Sequence, residues 1–155
     1  MTAKTLSVTQ QPTDADKENQ KVREIYDWIF VKGTNFDKIA TVKNGISKDY
    51  VVSLKAMINI DYDRFAAILG TTKTTLHKKQ GKEVFSTSIS EKVIALKDLY
   101  SYGYEVFEDQ DKFNKWIQTN NHALGDRIPL EVMDTIFGID EVKNIITRIE
   151  HGVYS

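Results

Sequence analysis

At 155 residues, 41% of them hydrophobic and none of them cysteine, the chain is one domain or two very small ones, and it excludes disulfide, thiolate and cysteine–zinc chemistry. No apolar run approaches the roughly 20 residues of a membrane-spanning helix, and the N-terminal stretch MTAKTLSVTQQPTDADKENQ lacks the apolar core of a secretory signal. A cytoplasmic setting away from membranes is therefore expected. The net charge of −1 hides an asymmetry: residues 1–97 hold 16 Lys/Arg and 11 Asp/Glu, giving +5, whereas residues 98–155 hold 5 and 11, giving −6. Such a split suggests two halves that meet different partners.

Residues 1–16 are polar and aperiodic and read as a flexible arm. From Lys17 onward Val22, Ile25, Tyr26, Ile29 and Phe30 recur at helical spacing, with Gly33 closing the segment. A shorter helix is predicted from Phe36 to Val42, ended by Asn44-Gly45. Ser47 is the expected cap of the next, which buries Tyr50, Val51, Leu54, Met57 and Ile58. Two short helices follow, over 61–69 and 72–80. "GKEVFSTS" reads as a connector, with KEVF a brief extended piece lacking a partner strand. Ser88 or Ser90 is predicted to cap a long helix through Val93, Leu96, Leu99 and Tyr100 to Phe107. A further helix runs from Asp109 to Ile117, with Phe113, Trp116 and Ile117 inward. "QTNNHALGDRI" is rich in turn formers. Pro129 opens a helix that Gly138 is expected to end, and Asp140 is expected to cap the last helix, with Val142, Ile145, Ile146 and Ile149 in line. No alternating strand pattern appears. The fold class is all-α, with nine or so short helices.

The stretch DRFAAILGTTKTTLHKKQG carries the pattern of a helix-turn-helix. Two short helices crossing steeply need a small residue at their contact and a glycine in the turn, here Ala66 and Gly70. Phe65, Leu69 and Leu76 form the inward face, and Thr72 caps the second helix. Lys79 departs from the pattern, since an apolar residue is common there; its stem can lie along the surface. From Thr71 to Lys82 there are four lysines and no acid. Thr72, Lys73, Thr74, His77, Lys78 and Lys79 are accordingly the expected DNA-contacting set, with lysines for phosphates and short polar side chains for base edges. A solvated basic face on an ordinary helix pair is the competing reading.

The segments VFEDQDKFNKWI, NNHALGDRIPLEVMDTIFGIDEV and RIEHGVYS follow a recognisable order. A Trp-containing helix (Trp116) leads to an Asn-rich turn (Asn121) and Ala123-Leu124-Gly125. A Pro-led segment from Pro129 to Gly138 comes next, then a last helix from Arg148 towards Gly152 and a short tail. In this order the chain resembles the Xre/MbcA/ParS-type antitoxins over residues 45–155, with LGTTKTTLHKK matching their Xre-like helix-turn-helix. Residues 1–44 match only loosely. Asp126 stands where many members have a second glycine.

The resemblance implies three regions: the arm 1–16, a helix-turn-helix-bearing part 17–97, and a toxin-binding part 98–155. It implies a RES-domain toxin partner that consumes NAD⁺ or transfers ADP-ribose from it, an antitoxin homodimer, and repression of its own operon. It further implies that the extreme C-terminus reaches the toxin's dinucleotide cleft. Gly152 would turn the chain by a left-handed residue, Tyr154 would fill a flat slot, the terminal carboxylate would meet phosphate-binding cations, and Arg148 and Glu150 would pair around the cleft mouth. Arg148, Glu150, His151, Gly152, Val153, Tyr154 and Ser155 are thus the expected toxin-binding set. The bland alternative has Val153 making only the apolar contact of a glycine-capped helix end and Tyr154 folding back.

Other constellations offer less. His77, His122 and His151 lack metal-ligand spacing. EDQDKF reads as a helix N-terminus rather than a calcium loop. Neither a phosphate-binding glycine loop nor a nucleophile elbow is present, so no enzyme and no cofactor are expected. The other functions weighed are a stand-alone helix-turn-helix repressor with a dimerising C-terminal part and an enzyme acting through His122, Asp126 and Arg127.

Overall fold

A computed structural model describes residues 33–153, together with residues 13–15, 17, 20, 24 and 27. Asp14 and Ala15, read from composition as part of an arm, have helical backbone, as do Lys17, Gln20, Glu24 and Asp27. The predicted apolar stripe Val22–Phe30 lies outside the described residues, as do Tyr154 and Ser155.

Among the described residues the fold is all-α. Helix α1 spans Asn35–Asn44 and α2 spans Lys48–Met57. The α3–α4 pair comprises Tyr62–Ile68 and Lys73–Lys78. The long α5 runs Thr87–Phe107, followed by α6, Gln110–Trp116. A 3-10 turn, His122–Leu124, leads to α7, Pro129–Val132, and α8, Ile136–Glu150.

Each start has a local cause. Thr34 and Asp37 form a reciprocal capping box on α1: the Thr34 hydroxyl oxygen accepts from Asp37 N–H, and Asp37 Oδ2 accepts from Thr34 N–H at 2.8 Å. The Thr34 hydroxyl also donates to Asp37 Oδ2 at 2.7 Å; that bond first, and the Thr34 N–H bond second, hold the Asp37 carboxyl below its ordinary pKa. Ser47 sits at the N-cap of α2 but makes no side-chain cap bond. Ser86, not Ser88 or Ser90, caps α5. Ser90 is buried inside the first turn instead. Its Oγ accepts from Ile46 N–H at 2.9 Å and lies 3.3 Å from the Phe85 carbonyl oxygen, tying α5 to the α1–α2 connector. The KEVF piece does find a partner, through a single antiparallel bridge between Val84 and Ser47.

Two further expectations are corrected at the C-terminal end. Gly138 does not end a helix; it lies in the first turn of α8, and Thr135, not Asp140, is the cap, accepting from Gly138 N–H at 3.0 Å. The Pro129-led helix is only four residues long. The reason is tertiary: a Cβ at Gly138 would lie 1.6 Å from the Val132 carbonyl oxygen. Only glycine lets α8 begin this close behind α7.

Helix α5 is the shared spine. It carries the chain through residues 97 and 98, where the charge balance changes sign, and packs against α1, α2, α6 and α8. Its buried face (Val93, Leu96, Leu99, Tyr100, Tyr104) belongs to the same apolar cluster as Leu54 and Phe65 on one side and Phe113, Met133 and Val142 on the other. Gly103 lets α6 approach, since a Cβ there would meet the Phe113 ring at 2.2 Å. Polar ties add register. Lys38 of α1 pairs with Asp98 at 2.6 Å beside the buried Lys97, and the Tyr104 hydroxyl donates to the Met57 carbonyl at 3.0 Å.

Candidate helix-turn-helix and toxin-binding surfaces

Helices α3 and α4 form the tight pair expected from sequence. Asp61 caps α3, its carboxylate accepting from Arg64 N–H at 2.9 Å; that backbone bond, above all, holds its pKa below the ordinary value. Phe65, Ala66 and Leu69 are buried. Gly70 then adopts φ +69°, its N–H bonds the Ala67 carbonyl at 3.0 Å, and Thr71 N–H bonds the Ala66 carbonyl at 2.9 Å. This is a Schellman end, and Thr72 restarts the chain at once by accepting from Thr75 N–H at 3.1 Å. Leu76 is wholly buried, and Lys48 Nζ donates to its carbonyl.

Thr72, Lys73, Thr74, His77 and Lys78 are exposed on one short helix and its cap. Besides the Thr72 cap, three of the six expected DNA contacts have neighbours within the chain. His77 packs on the Tyr62 ring, with centroids 4.8 Å apart, and Lys79 is half-buried with its ammonium 5.7 Å from the Phe85 ring centroid. Lys73 reaches Asp63 at 3.9 Å across exposed surface, a contact of little energetic weight.

The C-terminal surface is built on an aromatic cluster. Phe113 is met edge-on by Tyr100, Tyr104 and Phe107, at centroid distances of 5.3, 5.4 and 5.3 Å, and Trp116 stacks on it at 5.9 Å. Burial pushes the Tyr100 hydroxyl far above its ordinary pKa. The Asn-rich turn is closed by its own backbone. Asn121 Oδ1 accepts from Ala123 N–H at 2.9 Å, and Asn121 N–H bonds the Arg127 carbonyl at 2.9 Å. Gly125 and Asp126 follow at φ +65° and +62°. The second left-handed position explains why glycine suits the residue after Leu-Gly, and Asp is among the few other types that tolerate it. Asp126 Oδ1 lies 3.2 Å from His122 Nδ1, with both side chains largely in solvent; Arg127, the third residue weighed as catalytic, is exposed too.

Helix α8 ends in a second Schellman motif. Gly152 has φ +67°, its N–H bonds the Ile149 carbonyl at 3.0 Å, and Val153 N–H bonds the Arg148 carbonyl at 2.8 Å. Val153 is 57% exposed. It edges a hollow of about 320 Å³ shared with Phe107, Trp116, Ile145 and Arg148. Two of the expected toxin contacts are engaged within the chain: Glu150 accepts from the Tyr102 hydroxyl, and Arg148 reaches Glu141 at 3.6 Å. Burial first, and the Glu150 bond second, raise the Tyr102 pKa. His151 is the exposed C-cap. Sequence reasoning missed Tyr102, Glu141 and the exposed Phe137. Their only signal was helical spacing along faces whose burial depends on α5 and α8 packing together.

This is the part of the chain that comparison identifies. Residues 103–152 match the family model described as the antitoxin Xre/MbcA/ParS C-terminal toxin-binding domain. The chain is thus of the Xre/MbcA/ParS antitoxin type in its C-terminal third. It is 27% identical over 146 residues to a protein named antitoxin Xre from Yersinia enterocolitica serotype O:8 / biotype 1B (strain NCTC 13174 / 8081), covering 93% of this chain and 97% of that one. Another antitoxin Xre, from Photorhabdus laumondii subsp. laumondii, is 32% identical over 76 residues, 48% of this chain and 51% of that protein. A protein named Prs ADP-ribosylating antitoxin, from Sphingobium sp. (strain YBL2), is 22% identical over 129 residues, 77% of this chain and 81% of its own. The toxin-binding match runs from within α5 to Gly152, so it includes the aromatic cluster except Tyr100, the Asn121 turn and all of α8. Among the described residues no helix is long and apolar enough to cross a membrane.

Proposed function

We propose that this antitoxin neutralises a RES-domain toxin that uses NAD⁺, by placing its last residues in the toxin's dinucleotide cleft. The Schellman end at Gly152 carries the reading. It stops α8 abruptly and turns the chain at Val153, which stays largely exposed. An aromatic side chain such as that of Tyr154 suits a site that accepts a flat base. The relative named as an ADP-ribosylating antitoxin supports a partner chemistry based on ADP-ribose. Glu150 and Arg148, held by Tyr102 and Glu141, brace the helix end and face the cleft mouth as a preset pair.

The same chain represses its own operon as a homodimer in this reading, through the α3–α4 unit. Thr72, Lys73, Thr74 and Lys78 face the DNA, with His77 beside them on Tyr62 and Lys79 lying along Phe85.

The test is removal of residues 153–155 from the full chain, with folding followed by circular dichroism and NAD⁺ consumption by the toxin followed in the complex. Loss of inhibition by a folded truncation is expected; full inhibition by it sinks the plug. For the DNA face, Lys73→Ala and Lys78→Ala are each expected to reduce the salt dependence of binding to a fragment upstream of the gene by about one unit of log–log slope. Unchanged slopes sink that assignment.

A further inference from the structure

Helix α8 shows a face that the tail does not explain. Ile139, Val142, Ile145 and Ile146 are buried. Around the helix from them, at spacings of four, three and four residues, lie Phe137, Glu141, Asn144 and Arg148. Three of the four are tied together: Asn144 Nδ2 donates to Glu141 Oε2 at 3.5 Å, and Arg148 reaches Glu141 at 3.6 Å. The fourth, Phe137, is 86% exposed. Phe137 is the one large hydrophobic side chain recorded as exposed among the residues matched to the toxin-binding domain.

The exposed Phe137 ring leaves most of its apolar surface in water. Its position is nonetheless rigid. Thr135 caps the turn, and Gly138 backs directly onto the Val132 carbonyl, so the ring is held outward by a jammed backbone. Beside it a groove of about 600 Å³ is bordered by Glu131, Asp134 and Glu141 against the single cation Arg127. The 15 residues of α8, at about 1.5 Å each, set this anchor roughly 22 Å from the tail.

We infer that the outward face of α8 is the surface on which the toxin seats, with Phe137 entering an apolar recess rimmed by lysine or arginine. The occupant is the toxin because the face lies wholly within the toxin-binding match and runs into the tail at Gly152. An acidic surround selects a basic rim, and a rigid aromatic at the centre of such a face is the type of side chain that dominates binding. The inference rests on the antitoxin reading but not on the plug: the anchor supplies affinity, and the tail supplies inhibition.

The experiment measures the dissociation constant of the full-length antitoxin for the toxin encoded beside its gene, by calorimetry, for Phe137→Ala and Phe137→Gln. Both variants are expected to keep the wild-type melting temperature and to bind at least roughly thirtyfold more weakly. Glu141→Lys is expected to weaken binding as well, by opposing the basic rim. Deletion of 153–155 serves as the second arm. Retained affinity with lost inhibition fits both readings, and weak binding by Phe137→Ala beside full inhibition by the truncation leaves the anchor standing while the plug falls. Affinity of the Phe137 variants within threefold of wild type overturns the inference. So does a Phe137→Ala protein that binds toxin normally but no longer self-associates, since the face would then belong to a second copy of the chain.

Discussion

Helices α3 and α8 both end in a Schellman motif, with Gly70 and Gly152 as the left-handed residue, yet the chain does different things after each. After Gly70, Thr72 caps a new helix within two residues, and Lys92 Nζ sits 3.1 Å from where a Cβ would be. After Gly152 the one described residue, Val153, is not helical, and a Cβ at Gly152 would meet nothing within 4 Å. The first turn is a joint between two packed helices. The second is an exit. The halves differ in the same way in their close approaches. The helix-turn-helix uses Ala66 at its contact, with room for a methyl group, whereas the toxin-binding half uses Gly103 and Gly138, where no Cβ fits. One local geometry thus joins two packed helices at Gly70 and, in the proposed reading, presents the tail at Gly152.

The largest effect that would sharpen this contrast comes from filling the tight contacts. Gly138→Ala drives a methyl into a backbone carbonyl that cannot rotate away, and is expected to cost about 3 kcal/mol despite alanine's better helix propensity. Gly103→Ala meets the buried Phe113 ring and is expected to cost about 2 kcal/mol. Denaturant unfolding of both variants checks this. A loss under about 0.5 kcal/mol at Gly138 would show that α8 can shift, and with it that Phe137 is not rigidly held.

Next come the two left-handed glycines. Gly70→Ala is expected to cost about 1–2 kcal/mol, from the positive φ and the displacement of Lys92. Gly152→Ala pays the backbone strain too, but at a terminus where the last turn can unwind instead, so the stability loss is expected to stay below about 1 kcal/mol. Inhibition of the toxin is expected to suffer more than stability at Gly152, and stability more than anything else at Gly70. Thermal melts paired with an NAD⁺-consumption assay separate them; equal profiles for the two variants would erase the distinction between joint and exit.

How far each region could be read from sequence follows from the same contrast. The α3–α4 pair was legible because Ala66, Gly70 and Thr72 act on neighbours within a few residues, so their spacing is their meaning. The C-terminal helices were legible as helices but not at their boundaries. Gly138 reads as a terminator in a linear scan, because the Val132 carbonyl that demands a glycine there is defined only by the α7–α8 packing. Ser86, Ser88 and Ser90 offer three caps in a row, and the choice is made by Ile46, whose N–H draws Ser90 inward from 44 residues away. The pairing of Val84 with Ser47 was invisible for that reason as well. The family resemblance pointed to a toxin-binding C-terminal part, while the exposure of Phe137 emerged only once the buried face of α8 was known.

The smallest predicted effect concerns the caps. Helix α3 starts on a carboxylate, Asp61, and α8 starts on a hydroxyl, Thr135, so only the first cap titrates. Asp61 has a pKa lowered from 3.8 in the folded chain by the Arg64 N–H bond above all. A depressed carboxylate pKa contributes stability that is fully present above the unfolded value and is lost as pH falls through the folded one. Asp37 on α1 has the same sign, lowered by Thr34. Asp61→Asn keeps a side-chain oxygen for the cap but removes the charge. The variant is therefore expected to melt slightly below wild type at pH 6, with the gap closing as pH drops below about 4. Thr135→Asn, a change between two uncharged caps, is expected to shift the melt by the same amount at every pH. Melting curves between pH 2.5 and 6 decide it, and a gap for Asp61→Asn that stays constant across that range would mean that packing around Arg64, rather than the charge of the cap, fixes the start of the helix-turn-helix.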